Sequence, residues 1–432
     1  MINNRLIITI TLLFISCNTT TTDSNDIDFS SIDKIINNDI ENSLIPGAVV
    51  LIGNENEILY RNSYGVKNPE TNELFENDDI FRIASMTKAI TSFGVIKLWE
   101  KKLIDLDDPI EKYIPEFKYA EILDSYNEID TTYTTRKRNK DITIRQLMTH
   151  TSGIGYDFID IDPSIKAIYH KMKSSFMPYS VMCFSDENIK IGESIKNLSS
   201  VPLHHEPGEG YTYGIGLDIL GYMIEIVSGK PLDIFFREEI FEPLEMKDTY
   251  FYIPNEKSER LVPVQTFNSA LSYSNNLNKE NSWMIFDDKR FNVNYPIEGS
   301  MSFFAGGCGL SSTVEDYYNF LSVFVNDGRF KENQVIKKST NDLIFKNQLE
   351  KKFKTSIGLV FGISSKEDEN LGDYFKKEGI DGVLHWGGYW NTSFFADPHN
   401  KIIGIIYKQT QNTNENTTKK FNNEIYKILS EI

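Results

Sequence analysis

The chain has 432 residues, 40% of them hydrophobic, enough to bury a sizeable core without metal or disulfide staples, and three cysteines do not make a disulfide framework. With 62 acidic against 45 basic residues the formal charge is -17, diffusely placed, which repels nucleic acid at long range and leaves it outside the expected partners. The six histidines show no spacing such as His-x-x-x-His, so no metal and no other cofactor is expected.

At the N-terminus Arg5 precedes an apolar stretch, Leu6 to Ile15, too short to span a bilayer and of the length of a signal-peptide core. The stretch ends in Leu13-Phe14-Ile15-Ser16-Cys17, which resembles a bacterial lipobox. Residues 1–16 therefore read as a signal peptide and Cys17 as a lipidated N-terminus, a membrane anchor facing the periplasm or cell surface. Ordinary cleavage, or an uncleaved anchor with Cys17 incidental, are the alternatives. Residues 17–30, rich in Thr and Asn, make a flexible tether, and the folded domain is expected over 31–432. Cys183 and Cys308 are then left, and spacing does not decide whether they pair.

Ile45 to Gly53 reads as a buried strand, Asn54 to Glu57 as a turn and Ile58 to Tyr60 as the returning strand. Apolar spacing predicts a mostly buried helix from Ser85 to Glu100 and further helices around Ile142 to Met148 and Leu217 to Val227. Ser393 to Ala396, the turn Asp397-Pro398-His399-Asn400 and Ile402 to Tyr407 form a second hairpin, followed by a terminal helix from about Lys419. Two polar stretches, about Glu116 to Lys140 and Gln265 to Pro296, read as long surface loops. With strands at both ends, the economical fold is α/β: one antiparallel sheet assembled from the two chain ends, flanked by helices, with an inserted all-α subdomain.

Ser85 and Lys88 sit three residues apart at a helix start, so one turn brings the amine to the hydroxyl, and the helix N-terminus favours an anionic oxygen. A serine hydroxyl is weakly nucleophilic at neutral pH and needs such a partner. Alone, Ser-x-x-Lys also describes an N-cap followed by a solvated lysine. Ser152, in His150-Thr151-Ser152-Gly153, is a second tempting nucleophile, and Gly306-Gly307-Cys308-Gly309 is not a phosphate loop because no Gly-Lys-Ser/Thr follows.

The segment Phe81 to Ala89 closely resembles the first motif of the serine β-lactamase and penicillin-binding-protein-like superfamily, in particular its class C β-lactamase-like and carboxylesterase branch. Pro46 to Gly65 resembles that family's first hairpin, Leu106-Asp107-Asp108-Pro109-Ile110 its Leu-Asp-Asp-Pro turn, and Arg145 to Gly153 its Leu-Leu-Thr-His-Thr-Ser-Gly signature. The resemblance covers about residues 30 to 430 and implies a β-lactamase/transpeptidase-like fold with Ser85 as nucleophile and Lys88 as its activator. It makes Ser152 a structural residue, His150 a packing or hydrogen-bonding one, and Cys308 a small packing residue in a Gly-Gly-Gly-Leu-like turn.

Against the family's Tyr-x-Asn motif, counting from Pro207-Gly208 places Tyr213 at the proton-relaying tyrosine, with Tyr211 the competing choice. Ile215 then occupies the position of the amide that normally contacts a substrate's amide side chain, a departure that weakens the case for β-lactam or peptidoglycan substrates. The third motif falls in Leu384-His385-Trp386-Gly387-Gly388-Tyr389, where two registers are possible. Counting back from Asp397-Pro398 puts Trp386 at the Lys/His position, with Gly387 and Gly388 beside the substrate and the backbone N–H groups of Ser85 and Tyr389 forming the oxyanion hole. Trp386 carries no charge for a substrate carboxylate, which favours neutral esters. The resemblance thus implies a serine hydrolase acting through an acyl-enzyme on a small-molecule ester or amide. A β-lactamase or D-amino-acid peptidase, and a non-catalytic ligand-binding member of the fold, are the alternatives.

Overall fold

In the computed structural model, which describes residues 27–157, 159–172, 189–267, 282–287, 294–349, 353, 355–364, 382–411 and 413–431, the strand Gly47–Asn54 (β1) is buried along nearly its whole length. Successive side chains of a strand point to opposite faces, so β1 feeds two cores. Val49 and Leu51 join the main one, while Ala48, Val50 and Ile52 join a smaller one with Ile32, Ile36, Phe421 and Ile425. Each Val, Leu or Ile side chain so buried contributes about 1.5–3 kcal/mol of transfer free energy.

β1 pairs with Ile58–Asn68 (β2), which continues to Glu73–Leu74 (β3); from the other chain end come Gly362–Ile363 (β4), Leu384–Gly388 (β5), Thr392–Asp397 (β6) and Ile402–Tyr407 (β7). The sheet order is β4-β5-β6-β7-β1-β2-β3 and every pairing is antiparallel. The two chain ends meet at β1 and β7, in the register Val49 to Tyr407 and Leu51 to Ile405. Helices Ser30–Glu41 (α1) and Thr417–Ser430 (α5) cover the smaller core, and Val314–Val325 (α4) lies on the other face, with Thr87–Glu100 (α2) and Gly216–Ser228 (α3) behind it. This is the α/β architecture of β-lactamase/transpeptidase-like folds, with the sheet drawn from both termini as expected.

Both stretches expected to be loops contain regular structure. Glu121–Tyr126 and Tyr133–Lys137 form a hairpin, so the region between the two halves of the sheet is mainly but not wholly helical. Its residues are largely polar because both of its faces are mostly solvated, which hides the strand period. Gln265–Phe267 pairs with Trp283–Ile285 and, in parallel, with Thr410–Gln411. The start of α2 also differs from expectation: Ala84–Met86 is a 3₁₀ turn, and the α-helix begins at Thr87. Cys17, Cys183 and the expected signal peptide lie outside the described residues. No helix among the described residues is long and apolar enough to cross a membrane.

Candidate active site

The approach to Ser85 is held rigidly. Phe81–Arg82 pairs with Ser311–Ser312, and the buried Arg82 side chain donates from Nε to the Tyr295 carbonyl at 2.6 Å and from Nη1 to that of Val262 at 2.9 Å. The Arg82 backbone N–H donates to Gln409 Oε1 at 2.7 Å. These anchors hold Ala84 at φ +42°, a region that costs a non-glycine residue on the order of 1–3 kcal/mol. The strained turn lifts Ser85 out of the core: its neighbours Ala84 and Met86 are buried, whereas Ser85 is half-exposed.

Lys88 lies one turn further on and is 3% exposed. Its Nζ donates to the Gly307 carbonyl at 2.7 Å, to Tyr156 Oη at 3.2 Å and to Ser85 Oγ at 3.4 Å, which uses all three donors of an ammonium. Tyr213 Oη donates to Ser85 Oγ at 2.9 Å, and Lys88 Nζ lies 5.0 Å from the centre of the Tyr213 ring. The serine oxygen is thus bracketed by a phenol and an amine.

Aromatic rings hold Tyr213 in place. Tyr156 stacks on it at 5.7 Å, His150 lies 4.6 Å away, and Trp386 on β5 is 6.1 Å away. His150 and Trp386 are nearly parallel at 6.3 Å. His150 is buried, and its carbonyl accepts from the Thr212 N–H at 2.8 Å while its Nδ1 accepts from that of Gly214 at 3.3 Å. Burial and the Lys88 charge push its pKa down to about 3, so the ring is neutral and acts as packing and hydrogen-bonding support. Tyr211 sets its ring edge against His150 and is not bonded to Ser85. Ser152 is buried, with its Oγ accepting from the Ile154 N–H at 3.3 Å, a structural turn contact.

On β5, alternation turns Trp386 toward Tyr213 and His385 toward the opposite face. At Gly388 a Cβ would lie 2.4 Å from the Ile83 carbonyl and 2.2 Å from Thr392 Oγ1, so only glycine lets β5 close against the turn that carries Ser85. Gly387 is exposed beside it, and Tyr389 follows with its ring packed edge-on against Trp390 at 4.9 Å.

Two expectations change. Ile215, at the position expected to meet a substrate, is 2% exposed within the main core at the start of α3, its N–H bonded to the Gly155 carbonyl at 3.2 Å and its side chain packed inside. Cys308, expected as a small packing residue with its pairing left open, is disulfide-bonded, and its partner lies outside the described residues.

Three groups at the site were not foreseen: Tyr156, the Gly307 carbonyl and Asp218. Asp218 is buried in α3, and its Oδ1 accepts the Gly307 N–H at 2.9 Å. A lone carboxylate in the apolar run Leu217-Asp218-Ile219-Leu220 is a signal that the sequence does carry.

Residues 32–425 match the model of the Beta-lactamase family. The chain belongs to that family. Among its relatives, Esterase EstB of Burkholderia gladioli is 29% identical over 224 residues, covering 51% of this chain and 50% of that protein. Lovastatin esterase of Penicillium rubens is 28% identical over 349 residues, covering 76% of this chain and 79% of the relative. A solved structure of EstCE1, described as a hydrolase with promiscuous acyltransferase activity, superposes with a TM-score of 0.73 over 92% of this chain and 98% of its own at 19% identity, a likeness of fold. The chain is thus a member of the β-lactamase-fold serine hydrolases, with esterases among its relatives.

Proposed function

We propose that this β-lactamase-family member hydrolyses carboxylic esters through an acyl-enzyme on Ser85. The carrying observation is Ser85 Oγ placed 2.9 Å from Tyr213 Oη and 3.4 Å from Lys88 Nζ at the head of a buried helix. In the proposed reaction Ser85 Oγ attacks the ester carbonyl and its proton passes to the Tyr213–Lys88 pair. The same proton is returned to the departing alkoxide, which leaves as the alcohol. Water then attacks the acyl carbon, gives one proton to the pair, and releases the acid as Ser85 Oγ is reprotonated. The backbone N–H groups of Ser85 and Tyr389 are the proposed donors to the carbonyl oxygen as it becomes anionic.

Neutral esters are favoured over β-lactams because the third-motif position carries the uncharged Trp386. The esterase relatives support the same choice. Hydrolysis of p-nitrophenyl esters from acetate to octanoate, run beside nitrocefin with Ser85→Ala as control, tests the reading. Ser85-dependent ester turnover is expected. Turnover of nitrocefin alone would move the protein to the β-lactamases, and no labelling of Ser85 by a fluorophosphonate would favour a binding protein.

Export and anchoring through a lipidated Cys17 are proposed on the Leu6 to Cys17 pattern. Metabolic labelling with a fatty acid, lost in Cys17→Ala, is the expected result.

A further inference from the structure

The proton-handling pair is held from behind by a buried carboxylate. Asp218 is 5% exposed on α3, and among the described residues its proton donor from outside its own helix is the Gly307 N–H, at 2.9 Å from its Oδ1. Gly307 turns its carbonyl to Lys88 Nζ at 2.7 Å. One residue therefore joins the carboxylate to the amine, by its N–H on one side and its carbonyl on the other. The fit leaves no slack: a Cβ at Gly307 would lie 2.2 Å from Asp218 Oδ2. The adjoining Gly306 carbonyl is fixed separately by Thr91 Oγ1 of α2 at 2.5 Å, so the glycine turn is pinned between α2 and α3.

The carboxylate also acts by charge. Burial pushes the Asp218 carboxyl upward and the neighbouring Asp157 adds to it, while the Lys88 charge across the glycine turn and the Gly307 N–H pull it back down. The other titratable groups around the pair are Tyr156, from the segment after Gly155; Tyr213 and His150, which face Lys88 across the site; and Tyr295, which faces Asp218 and Arg82. Burial pushes the Tyr156 and Tyr295 phenols upward and leaves His150 neutral, so none of these three brings a negative charge at neutral pH.

We propose that Asp218 is a positioning residue for proton transfer at Lys88: it fixes Gly307 so that the Gly307 carbonyl aims the amine at Ser85, and it places a carboxylate behind that amine. The proposal rests on the hydrolase reading of Ser85, Lys88 and Tyr213. Removing a buried negative charge favours deprotonation of every group near it, so the ionisations read in the rate profile move to lower pH.

The test is the pH dependence of kcat/KM for p-nitrophenyl acetate with the full-length protein and Asp218→Asn. Asparagine retains an oxygen for the Gly307 N–H and drops the charge. The expected result is a profile displaced to lower pH by about half to one unit, with kcat lower by about tenfold or more and KM within about threefold. A merely structural role would lower the amount of folded enzyme and leave the profile where it is. A profile superimposable on wild type, from folded variant protein, overturns the proposal. Should Asp218→Asn not fold, Asp218→Ser is measured in the same way; if neither folds, the carboxylate serves the fold and the proposal is also overturned. Absence of Ser85-dependent turnover in the wild type overturns the hydrolase reading instead, so the two failures are distinguishable.

Discussion

Tyr213 Oη reaches Ser85 Oγ at 2.9 Å, whereas Tyr211, two residues earlier, presents its ring to His150 at a centroid distance of 6.1 Å. Spacing from Pro207-Gly208 favours Tyr213, and the geometry gives the same residue the contact with the nucleophile. Removing the phenol oxygen with Tyr213→Phe keeps the ring stack with Tyr156 and His150 but deletes the proton path. Ester turnover should fall by about 10²–10⁴-fold, the usual range for a lost acid–base group, while Tyr211→Phe stays within about threefold of wild type. Equal losses in the two variants, measured as kcat/KM on one ester, would sink the assignment of Tyr213.

Most of the fold was legible because its period is clear. Both hairpins, the helices around Ser85, Leu217 and the C-terminus, and the assembly of one sheet from two chain ends all follow from alternation or helical spacing. The hairpin Glu121 to Lys137 was not legible, since strands solvated on both faces carry no apolar period. At the site, Ser85, Lys88 and Tyr213 were legible as an ordered set of motifs. Tyr156 and Gly307 were not: each enters through a contact that spans a large sequence separation, 68 and 219 residues from Lys88, and no local pattern records such a meeting. Ile215 was misplaced because alignment to a motif fixes a position along the chain and not the direction of a side chain.

Gly388 gives a prediction that depends on shape alone. A methyl group there would lie 2.4 Å from the Ile83 carbonyl and 2.2 Å from Thr392 Oγ1, and backbone on one side cannot yield cheaply. Gly388→Ala should push β5 away from the Ser85 turn. Fluorophosphonate labelling should slow by more than about tenfold, with a loss of about 1–3 kcal/mol in stability as for other overpacked sites. Gly387→Ala, whose Cβ would come only to 3.3 Å of the Thr392 carbonyl, should be much milder. A Gly388→Ala enzyme that labels at the wild-type rate would show that β5 does not position the turn.

His150 links the site to acid stability. Its pKa in the folded protein is about 3 against an ordinary 6.5, because the ring is buried and faces the Lys88 charge. Below about pH 6.5 the unfolded chain binds a proton that the native state refuses, so stability falls as pH is lowered from 6.5 toward 3. The accumulated loss is on the order of 4 kcal/mol at the bottom of that window. Residue 150 sits at φ +57°, a conformation asparagine accepts, so His150→Asn is the proper comparison. The variant should be less stable at pH 7, having lost the ring contacts, yet lose less further stability than wild type between pH 7 and pH 4. Parallel curves in denaturant melts would mean that His150 titrates normally in the native state.

Asp316 makes the opposite prediction at the other end of the scale. It is 5% exposed on α4, and its Oδ2 accepts the Asp248 N–H at 2.7 Å and the Thr249 hydroxyl at 2.8 Å. Burial, aided by the Asp248 charge, nevertheless outweighs these bonds and raises the carboxyl from 3.8 to about 6. The unfolded chain releases this proton from about pH 3.8 and the native state only near pH 6, so stability present below 3.8 is lost as pH rises through 6. Asp316→Asn keeps an acceptor oxygen for the Asp248 and Thr249 donors and removes the ionisation. It also gives up the bond from the Lys247 N–H if that donor meets the amide nitrogen, so its stability at pH 4 should be at or below that of wild type. Measured relative to wild type, its stability should then improve by about 2–3 kcal/mol between pH 4 and pH 8. A difference that stays constant across that range would show that Asp316 ionises in the native state as easily as in the unfolded chain, and that its burial carries no electrostatic cost.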